Sequence, residues 1–240
     1  MTKTLRMGVI GAAGRMGRAI SDMAASENAR IVARFEVGDA ISAEGADVLI
    51  DFSSASATRA VCAAAVKSAA PLVIGTTGHE DEERGCIENA AKTIPVVLAS
   101  NFSVGVNVLF SLAERAAMIL GDSFDVEIVE AHHRMKKDAP SGTAKTLVEM
   151  LQRARRTNEV RYGRKGMVGE RGSGEIGVHS IRGGDVVGDH TVVFAGDGER
   201  LELTHRASSR ETFARGALRA ARWIIGKPAR LYTMRDVLGL

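Results

Sequence analysis

The chain has 240 residues, enough for one large domain or two small ones, with the apolar and charged fractions of a globular protein. Two cysteines make no disulfide framework, and the net charge of +3 comes from interspersed basic and acidic residues. This small excess of positive charge is weak support for nucleic-acid binding and is compatible with a small anionic ligand. No signal segment and no continuous apolar run of roughly 20 residues is evident, so we expect a cytoplasmic protein without membrane or nucleic-acid partners.

Short apolar runs alternate with helical patterns through the first half of the chain. Nearly continuous apolar character predicts buried strands at residues 5–10, 30–36, 48–52, 72–74 and 96–99. Helical periodicity covers residues 15–26, 55–69, 81–92 and 104–120. This alternation predicts an α/β fold with an N-terminal, Rossmann-type, doubly wound parallel sheet.

The pattern changes in the second half. A strand is predicted at residues 124–131, a helix from Ser141 to about Arg156, and a mobile glycine-rich loop at 162–177. Strands at 175–182, 190–195 and 200–207, with turns at 183–185 and 196–198, predict a second α+β domain on a mixed, mostly antiparallel sheet. An amphipathic helix is predicted at 210–225. We expect a dinucleotide-binding domain at 1–103 plus 213–240, and a substrate-binding and oligomerisation domain at 104–212.

A glycine turn, Gly11-Ala12-Ala13-Gly14-Arg15-Met16-Gly17, joins the first strand to the first helix. Glycines allow a sharp turn and a close approach of the backbone to a pyrophosphate, which the helix N-terminus attracts. The spacing is a variant of the dinucleotide fingerprint, and the alternative is a turn that binds nothing. Its place between a strand and a helix favours a dinucleotide.

Glu36 ends the second predicted strand, roughly 20 residues beyond the turn. A carboxylate there can accept hydrogen bonds from the ribose hydroxyls and would repel a 2′-phosphate. Val37 offers no positive charge, although Arg15 and Arg34 could. The cofactor prediction is therefore NADH and/or NADPH, with NADH favoured. The alternative is an exposed glutamate that only ends a strand.

Two further turns follow predicted strands of the same sheet, Gly75-Thr76-Thr77-Gly78 and Ala99-Ser100-Asn101-Phe102. Ligands of open α/β sheets bind outside the carboxyl ends of the strands. We expect these turns to hold the nicotinamide ribose and ring, although each alone would pass for an ordinary loop.

A block of polar residues follows the strand at 124–131. His132, His133 and Lys136 precede a break at Asp138-Ala139-Pro140, and Ser141-Gly142-Thr143 begins the next helix. Ser141 is a candidate N-cap, the following N–H groups are open to an anion, and histidine transfers protons near neutral pH. The block can bind a carboxylate and protonate a neighbouring group. A metal site is not expected, because no cysteine cluster or H-x-x-x-H spacing accompanies the histidines. The other alternative is a basic surface loop.

Together these motifs resemble the 4-hydroxy-tetrahydrodipicolinate reductase (dihydrodipicolinate reductase) family of the diaminopimelate–lysine pathway. The resemblance covers most of the chain, at residues 11–17, 51–53, 75–78, 101–107, 130–143, 182–188 and 207–213. The segment Glu130-Ala131-His132-His133-Arg134, with Lys136 and residues 138–143, is its most specific part. The chain departs from the family in a shorter stretch between Glu36 and Asp51, and in Val37, where a basic residue often stands.

The resemblance implies reduction of a hydroxylated tetrahydrodipicolinate by NAD(P)H, with loss of water, in a homotetramer built through sheets of the second domain. It implies His132 as proton donor and acceptor, Lys136 as proton donor, and substrate carboxylates bound by His133, Gly142 and Thr143. It places the cofactor on Gly11–Met16, Glu36, Gly75–Thr77 and Ala99–Phe102. Two alternatives stay open: a reductase of another small imino or keto acid, and a non-enzymatic dinucleotide sensor or nucleic-acid-binding regulator, for which no recognition helix or long basic run is present.

Overall fold

The computed structural model describes residues 3–209 and 211–240. The chain forms two compact units, Met1–Val104 with Arg210–Leu240, and Gly105–Ser209. Met1, Thr2 and Arg210, the expected first residue of the last long helix, lie outside the described residues.

Eleven strands and seven α-helices are assigned within the described residues. In chain order they are β1 (Leu5–Ile10), α1 (Arg15–Ala24), β2 (Ala29–Phe35), β3 (Val48–Asp51), α2 (Thr58–Lys67), β4 (Leu72–Ile74), α3 (Asp81–Ala91), β5 (Val96–Leu98), α4 (Val104–Leu120), β6 (Asp125–His132), α5 (Gly142–Arg155), β7 (Val160–Tyr162), β8 (Ile176–Arg182), β9 (Gly188–Gly196), β10 (Glu199–Ala207), α6 (Glu211–Trp223), β11 (Leu231–Tyr232) and α7 (Met234–Leu238).

The first unit contains a parallel sheet with the strand order β11-β5-β4-β3-β1-β2. Its inner strands β1, β3, β4 and β5 are buried on both faces, because alternate residues enter two different cores, whereas the edge strand β2 exposes alternate residues. Val48 and Ile50 pack with α1 and α6, whereas Leu49 packs with α2 and α3. The predicted doubly wound, Rossmann-type sheet is confirmed.

The order of this sheet reverses at β1, since β2 lies on one side of it and β3 on the other. Ligands bind at such a reversal, outside the carboxyl ends of the strands. Residues 36–47, all of which the structure describes, form turns without helix or strand. The short strand β11 and the five-residue helix α7 escaped sequence prediction, since segments of two and five residues carry no readable periodicity.

The second unit contains a sheet with the order β10-β9-β6-β8-β7. Strand β9 is antiparallel to β6 and β10, whereas β8 is parallel to β6 and β7. The sheet is therefore mixed, as predicted, but not mostly antiparallel. The physical reason is that α5 carries the chain from the end of β6 back to the level of its start, which makes the next two strands, β7 and β8, run parallel to β6. The turn at 183–185 passes the end of β6, whereas the turn at 196–198 closes the β9–β10 hairpin.

One face of this second sheet packs on helices α4 and α5. Val126 and Ile128 of β6 lie in a core with Leu109 of α4 and Leu147 of α5. Glu130 continues the same buried series. A carboxylate therefore stands at a core position and requires polar partners there.

The segment predicted as a mobile loop is anchored to the opposite face of this sheet. Its first residue, Tyr162, belongs to β7. Arg164 donates to both carboxylate oxygens of Glu127 at 2.9 and 3.0 Å, and Arg171 donates to Glu127 at 2.9 Å and to Asp125 at 2.6 Å. The glycines permit the turns, and the arginines fix their position.

Helix α4 is apolar along most of its length. With the turn that follows it, Val104–Ser123 is long and apolar enough to cross a membrane by length and composition alone, with a mean hydropathy of 1.4. Glu114 and Arg115 interrupt the apolar residues, so the sequence shows no continuous run. The face of the helix that carries Leu109 and Ala113 is buried in the core of the second unit.

Candidate active site

The glycine turn joins β1 to α1 in the first unit. Gly11 has a φ of +74°, a left-handed conformation that glycine adopts without strain. A Cβ on Gly17 would lie 2.3 Å from the carbonyl oxygen of Gly11, so only glycine lets the helix begin this close to the turn. The N-cap is Gly14, which offers no side-chain cap. The first N–H groups of α1 are thus available to an anion, and the turn fits the pyrophosphate of a dinucleotide.

Glu36 follows β2 and reaches back to this turn. Its Oε1 accepts a hydrogen bond from the N–H of Ala13 at 2.6 Å. A cavity of about 380 Å³ adjoins the carboxylate and is also lined by Arg18 and Arg34. Within the described residues, neither guanidinium makes a hydrogen bond or an ion pair. Asp22 lines the cavity as well, so two carboxylates and these two guanidinium groups share one cavity at the predicted ribose end of the cofactor site.

A buried polar cluster links the ends of β3 and β4. Thr76 Oγ1 donates to Asp51 Oδ2 at 2.7 Å, and the N–H of Ser53 donates to Thr76 Oγ1 at 3.0 Å. Burial raises the pKa of Asp51, and the hydrogen bonds from Ser53 and Thr76 oppose that rise. Thr76 is buried, whereas Thr77 is exposed.

The loops after β1, β3, β4 and β5 meet at the carboxyl edge of the parallel sheet. A Cβ on Gly11 would lie 2.5 Å from the carbonyl oxygen of Phe52, and one on Gly75 would lie 2.1 Å from the Phe52 ring. The rings of Phe52 and Phe102 pack edge-to-face with centroids 5.5 Å apart. The Asn101 side chain accepts a hydrogen bond from the N–H of Ser103 at 2.8 Å. The structure therefore brings the predicted cofactor-binding turns to one edge.

The N-terminus of α5 carries the predicted carboxylate-binding residues in the second unit. Ser141 is the N-cap, as predicted, and its Oγ accepts from the N–H of Ala144 at 3.2 Å. The same hydroxyl lies 3.1 Å from His190 Nε2. Gly142 is exposed and Thr143 half-buried.

His132 is the last residue of β6 and is buried beside Glu130. Its Nδ1 is hydrogen-bonded to Glu130 Oε2, and its ring packs edge-to-face on His190 with centroids 5.1 Å apart. Burial lowers the pKa of His132, while Glu130 acts in the opposite direction. Burial also lowers the pKa of His190 to about 4, and His132 adds to that effect.

Arg182 of β8 binds Glu130 with both terminal nitrogens, at 2.8 and 2.9 Å. Burial alone would raise the pKa of Glu130, but the hydrogen bonds from Arg182 lower it to about 2. The carboxylate is thus ionised at neutral pH in a core position. This pair also argues against a metal ion: ligand atoms of Glu130, His132 and His190 lie within 4.8 Å of one another, but the guanidinium occupies both carboxylate oxygens.

His133 and Lys136 lie beyond the end of β6. His133 is half-buried, whereas His132 is buried. The backbone N–H of Lys136 donates to the His133 carbonyl at 3.1 Å, and Lys136 Nζ donates to Asp138 Oδ1 at 2.8 Å. The two side chains are therefore carried on one tight turn next to His132.

Sequence reasoning assigned no role to Glu130, Arg182 and His190. The available signal was Glu130, which lies two residues after Ile128 and four after Val126, on the same face of the predicted strand. That spacing places a carboxylate on the buried face, where it requires a cationic partner. Arg182 and His190 lie 52 and 60 residues further along the chain, and only the strand order brings them to it.

Both halves of the chain match family models. The model described as "Dihydrodipicolinate reductase, N-terminus" matches residues 5–102, and "Dihydrodipicolinate reductase, C-terminus" matches residues 105–238. Among solved structures, a dipicolinate-bound dihydrodipicolinate reductase from Paenisporosarcina sp. TG-14 has a TM-score of 0.77 at 22% identity, covering 97% of this chain and 98% of that one. This likeness shows a shared fold.

Relatives of similar length carry one name. A 4-hydroxy-tetrahydrodipicolinate reductase from Akkermansia muciniphila is 55% identical over 238 residues, 97% of each chain. One from Thiobacillus denitrificans is 47% identical over 265 aligned positions, 99% of each chain. With both family models spanning nearly its whole length, the chain belongs to the dihydrodipicolinate reductase family.

Proposed function

We propose that the chain reduces 4-hydroxy-tetrahydrodipicolinate to tetrahydrodipicolinate with NADH or NADPH, in the diaminopimelate route to lysine. Relatives at 55% and 47% identity over nearly their full length carry this enzyme's name. In the balanced reaction, one hydride and one proton are added to the substrate and one water is released.

The main support for the proposal is that the Glu130 carboxylate binds two functional groups at once. One oxygen binds His132, and the other accepts the N–H of Ser141 at 3.3 Å. A proton-transferring imidazole and the N-terminus of α5 are therefore held by one group. A substrate that needs both a proton and carboxylate binding matches this arrangement.

The first unit would hold the cofactor, which when bound supplies the hydride. The turn Gly11–Met16 would bind the pyrophosphate, and Glu36 would accept hydrogen bonds from the ribose hydroxyls. Gly75–Thr77 and Ala99–Phe102 would line the nicotinamide end. These assignments follow from the carboxyl-edge placement of the loops and from the uncapped start of α1.

The second unit would bind the substrate and supply protons. His133, Gly142 and Thr143 would bind its carboxylates at the start of α5, where N–H groups and the helix dipole favour negative charge. His132 would accept and donate a proton at the ring, and Lys136 would donate a proton. Asp138, which holds the Lys136 ammonium, keeps that side chain near the same turn.

For the cofactor we propose that NADH is favoured and NADPH is accepted. Glu36 would repel a 2′-phosphate, and Val37 provides no compensating charge. Arg18 and Arg34, however, line the same cavity and are unpaired within the described residues, so they can offset that repulsion.

We further propose a cytoplasmic homotetramer that associates through the second sheet. The face opposite α4 and α5 presents small and apolar residues, among them Val129, Ala131, Val193 and Ala195, between charged ones. Light scattering coupled to size exclusion tests this. A mass of about four chains is expected, and a monomer at micromolar concentration would contradict it.

A substrate panel tests the activity itself. The product of a dihydrodipicolinate synthase, generated in the cuvette, should drive NADH oxidation, measured by the fall in absorbance at the nicotinamide band. Other small imino and keto acids serve as comparison substrates at matched concentration. Oxidation with one of those, and none with the synthase product, would overturn the proposed substrate.

A further inference from the structure

We infer that Arg182 is a positioning residue, which acts through Glu130 and Asp138 to fix the proton-transferring side chains and the start of α5 in one geometry. The inference rests on the proposed function for its kinetic consequences. Arg182, Glu130, Asp138 and His132 all belong to the second unit.

Arg182 stands opposite His132 in the parallel pairing of β8 with β6. From there its two terminal nitrogens reach both oxygens of Glu130, at 2.8 and 2.9 Å. One of these nitrogens also donates to the carbonyl oxygen of Asp138 at 2.6 Å. A single planar guanidinium therefore ties the end of β6 to the loop that leads into α5.

Glu130 passes this constraint to two functional elements. It is fully buried, and its two oxygens bind His132 Nδ1 and the N–H of Ser141. An ionised carboxylate can only accept hydrogen bonds, so Nδ1 of His132 carries the proton. The other ring nitrogen, Nε2, points toward Gly188, where a Cβ would lie 3.0 Å away. Nε2 is therefore the nitrogen left for proton exchange.

The contact with Asp138 passes the constraint to Lys136. Lys136 Nζ donates to the Asp138 carboxylate, while Arg182 holds the Asp138 carbonyl. The turn after β8 adds two backbone bonds, from Gly183 N–H to the His132 carbonyl and from Arg134 N–H to the Gly184 carbonyl. Residues 182–184, at the end of β8, therefore form hydrogen bonds along the whole segment that carries His132 and Lys136.

The titratable and charged groups that face His132 come from four elements. Glu130 lies on its own strand, Lys136 on the following turn, Arg182 on β8 and His190 on β9. Of these, Arg182 alone neutralises Glu130 directly. Removing the guanidinium would leave Glu130 free to stabilise the imidazolium, so the titration midpoint of His132 should rise.

The first test reads the titration of His132 without turnover. Histidine labelled with ¹³C at Cε1 is followed by NMR against pH in the full-length protein, with the His132 signal assigned from His132→Gln. Arg182→Gln should raise the midpoint, whereas Arg182→Lys, which keeps a charge but loses the two-point contact, should shift it less. Arg164→Gln is the matched control, because Arg164 binds Glu127 of the same strand in the same two-point manner. It should leave the midpoint at its wild-type value.

The second test is kinetic. Arg182→Gln should lower kcat by about 10²-fold or more, with the KM for NADH little changed, since an orienting carboxylate and its support act on proton transfer. Arg182→Lys should fall between this variant and the wild type. Thermal unfolding of each variant checks that it is folded at the assay temperature.

The outcomes separate the two proposals. A shifted midpoint in Arg182→Gln without any turnover by the wild type supports the positioning role and rejects the proposed function. Wild-type turnover with an unshifted midpoint and unchanged kcat in a folded Arg182→Gln overturns the positioning role.

Discussion

Thr76 Oγ1 donates its proton to Asp51 Oδ2 at 2.7 Å and accepts the N–H of Ser53 at 3.0 Å. Its only hydroxyl proton is therefore used inside the protein. Thr76 stands in a turn that we assign to the cofactor, but it can offer that cofactor a backbone group or a lone pair and no hydroxyl proton. Its side chain joins the ends of β3 and β4.

Thr76→Val should consequently destabilise the protein while changing cofactor affinity little. The variant leaves Asp51 buried without one of its donors, which costs about 1–3 kcal/mol. Thr76→Ser keeps the hydroxyl and is the control. Urea unfolding gives the stability and NADH fluorescence gives the dissociation constant. Wild-type stability with a large loss of NADH affinity would show that the hydroxyl serves the cofactor.

Gly17→Ala should weaken NADH binding, because the added Cβ would lie 2.3 Å from the Gly11 carbonyl oxygen and 2.6 Å from Ala12 Cα. The turn must shift to relieve this contact, so its N–H groups lose their alignment. We expect the dissociation constant for NADH to rise about 10-fold or more. Gly85→Ala in α3, where nothing lies within 4 Å of the added Cβ, is the matched control and should bind NADH normally. Equal affinity of the two variants would remove the turn from the cofactor site.

Arg34→Ala should affect the KM for NADPH and the KM for NADH differently. If Arg34 meets the 2′-phosphate, its loss should raise the KM for NADPH about 10-fold and leave that for NADH nearly unchanged. Arg30→Ala provides the control, since Arg30 is an exposed arginine four residues earlier on the same strand. An equal effect of Arg34→Ala on both cofactors would argue against a role in 2′-phosphate binding.

The stability of the protein should fall as the pH decreases from 6.5 toward 4. His190 has its pKa lowered from 6.5 to about 4 by burial, so in this interval the unfolded chain takes up a proton that the folded one excludes. The loss from this group reaches about 3 kcal/mol at the acid end and vanishes above the ordinary histidine pKa.

Urea unfolding across this pH range measures the effect. His190→Gln removes the titrating ring and should flatten the slope, although it also lowers stability at pH 7 because the ring packs on His132 and binds Ser141. A slope identical to that of the wild type would show that His190 titrates normally in the folded protein.

The sequence was most informative where a residue's role depends on its own neighbours. The strands of the first sheet can be identified as short apolar runs. Ser141 can be identified as an N-cap because it directly precedes an amphipathic helix. The functional block at 132–143 could be recognised for the same reason. All of its residues lie within one stretch of twelve positions.

What sequence reasoning missed depends on pairings between distant strands. The parallel β6–β8 contact that seats Arg182 against Glu130 follows from the crossover of α5, and short strands do not reveal it. Likewise the glycines at 163–174 indicate a flexible loop, whereas Arg164 and Arg171 tie it to Glu127. A high glycine content indicates that a backbone can be flexible, but it does not show which side chains hold that backbone in place.

The most direct measurement of the central claim is steady-state reduction of enzymatically generated 4-hydroxy-tetrahydrodipicolinate at saturating NADH, by the wild type and by a His132→Gln/Lys136→Ala double variant. The wild type should oxidise NADH only when that substrate is present. The folded double variant should lose at least about 10²-fold to 10⁴-fold in kcat, the range expected for proton transfer. Undiminished turnover by the double variant would contradict the assignment of the reaction to this site.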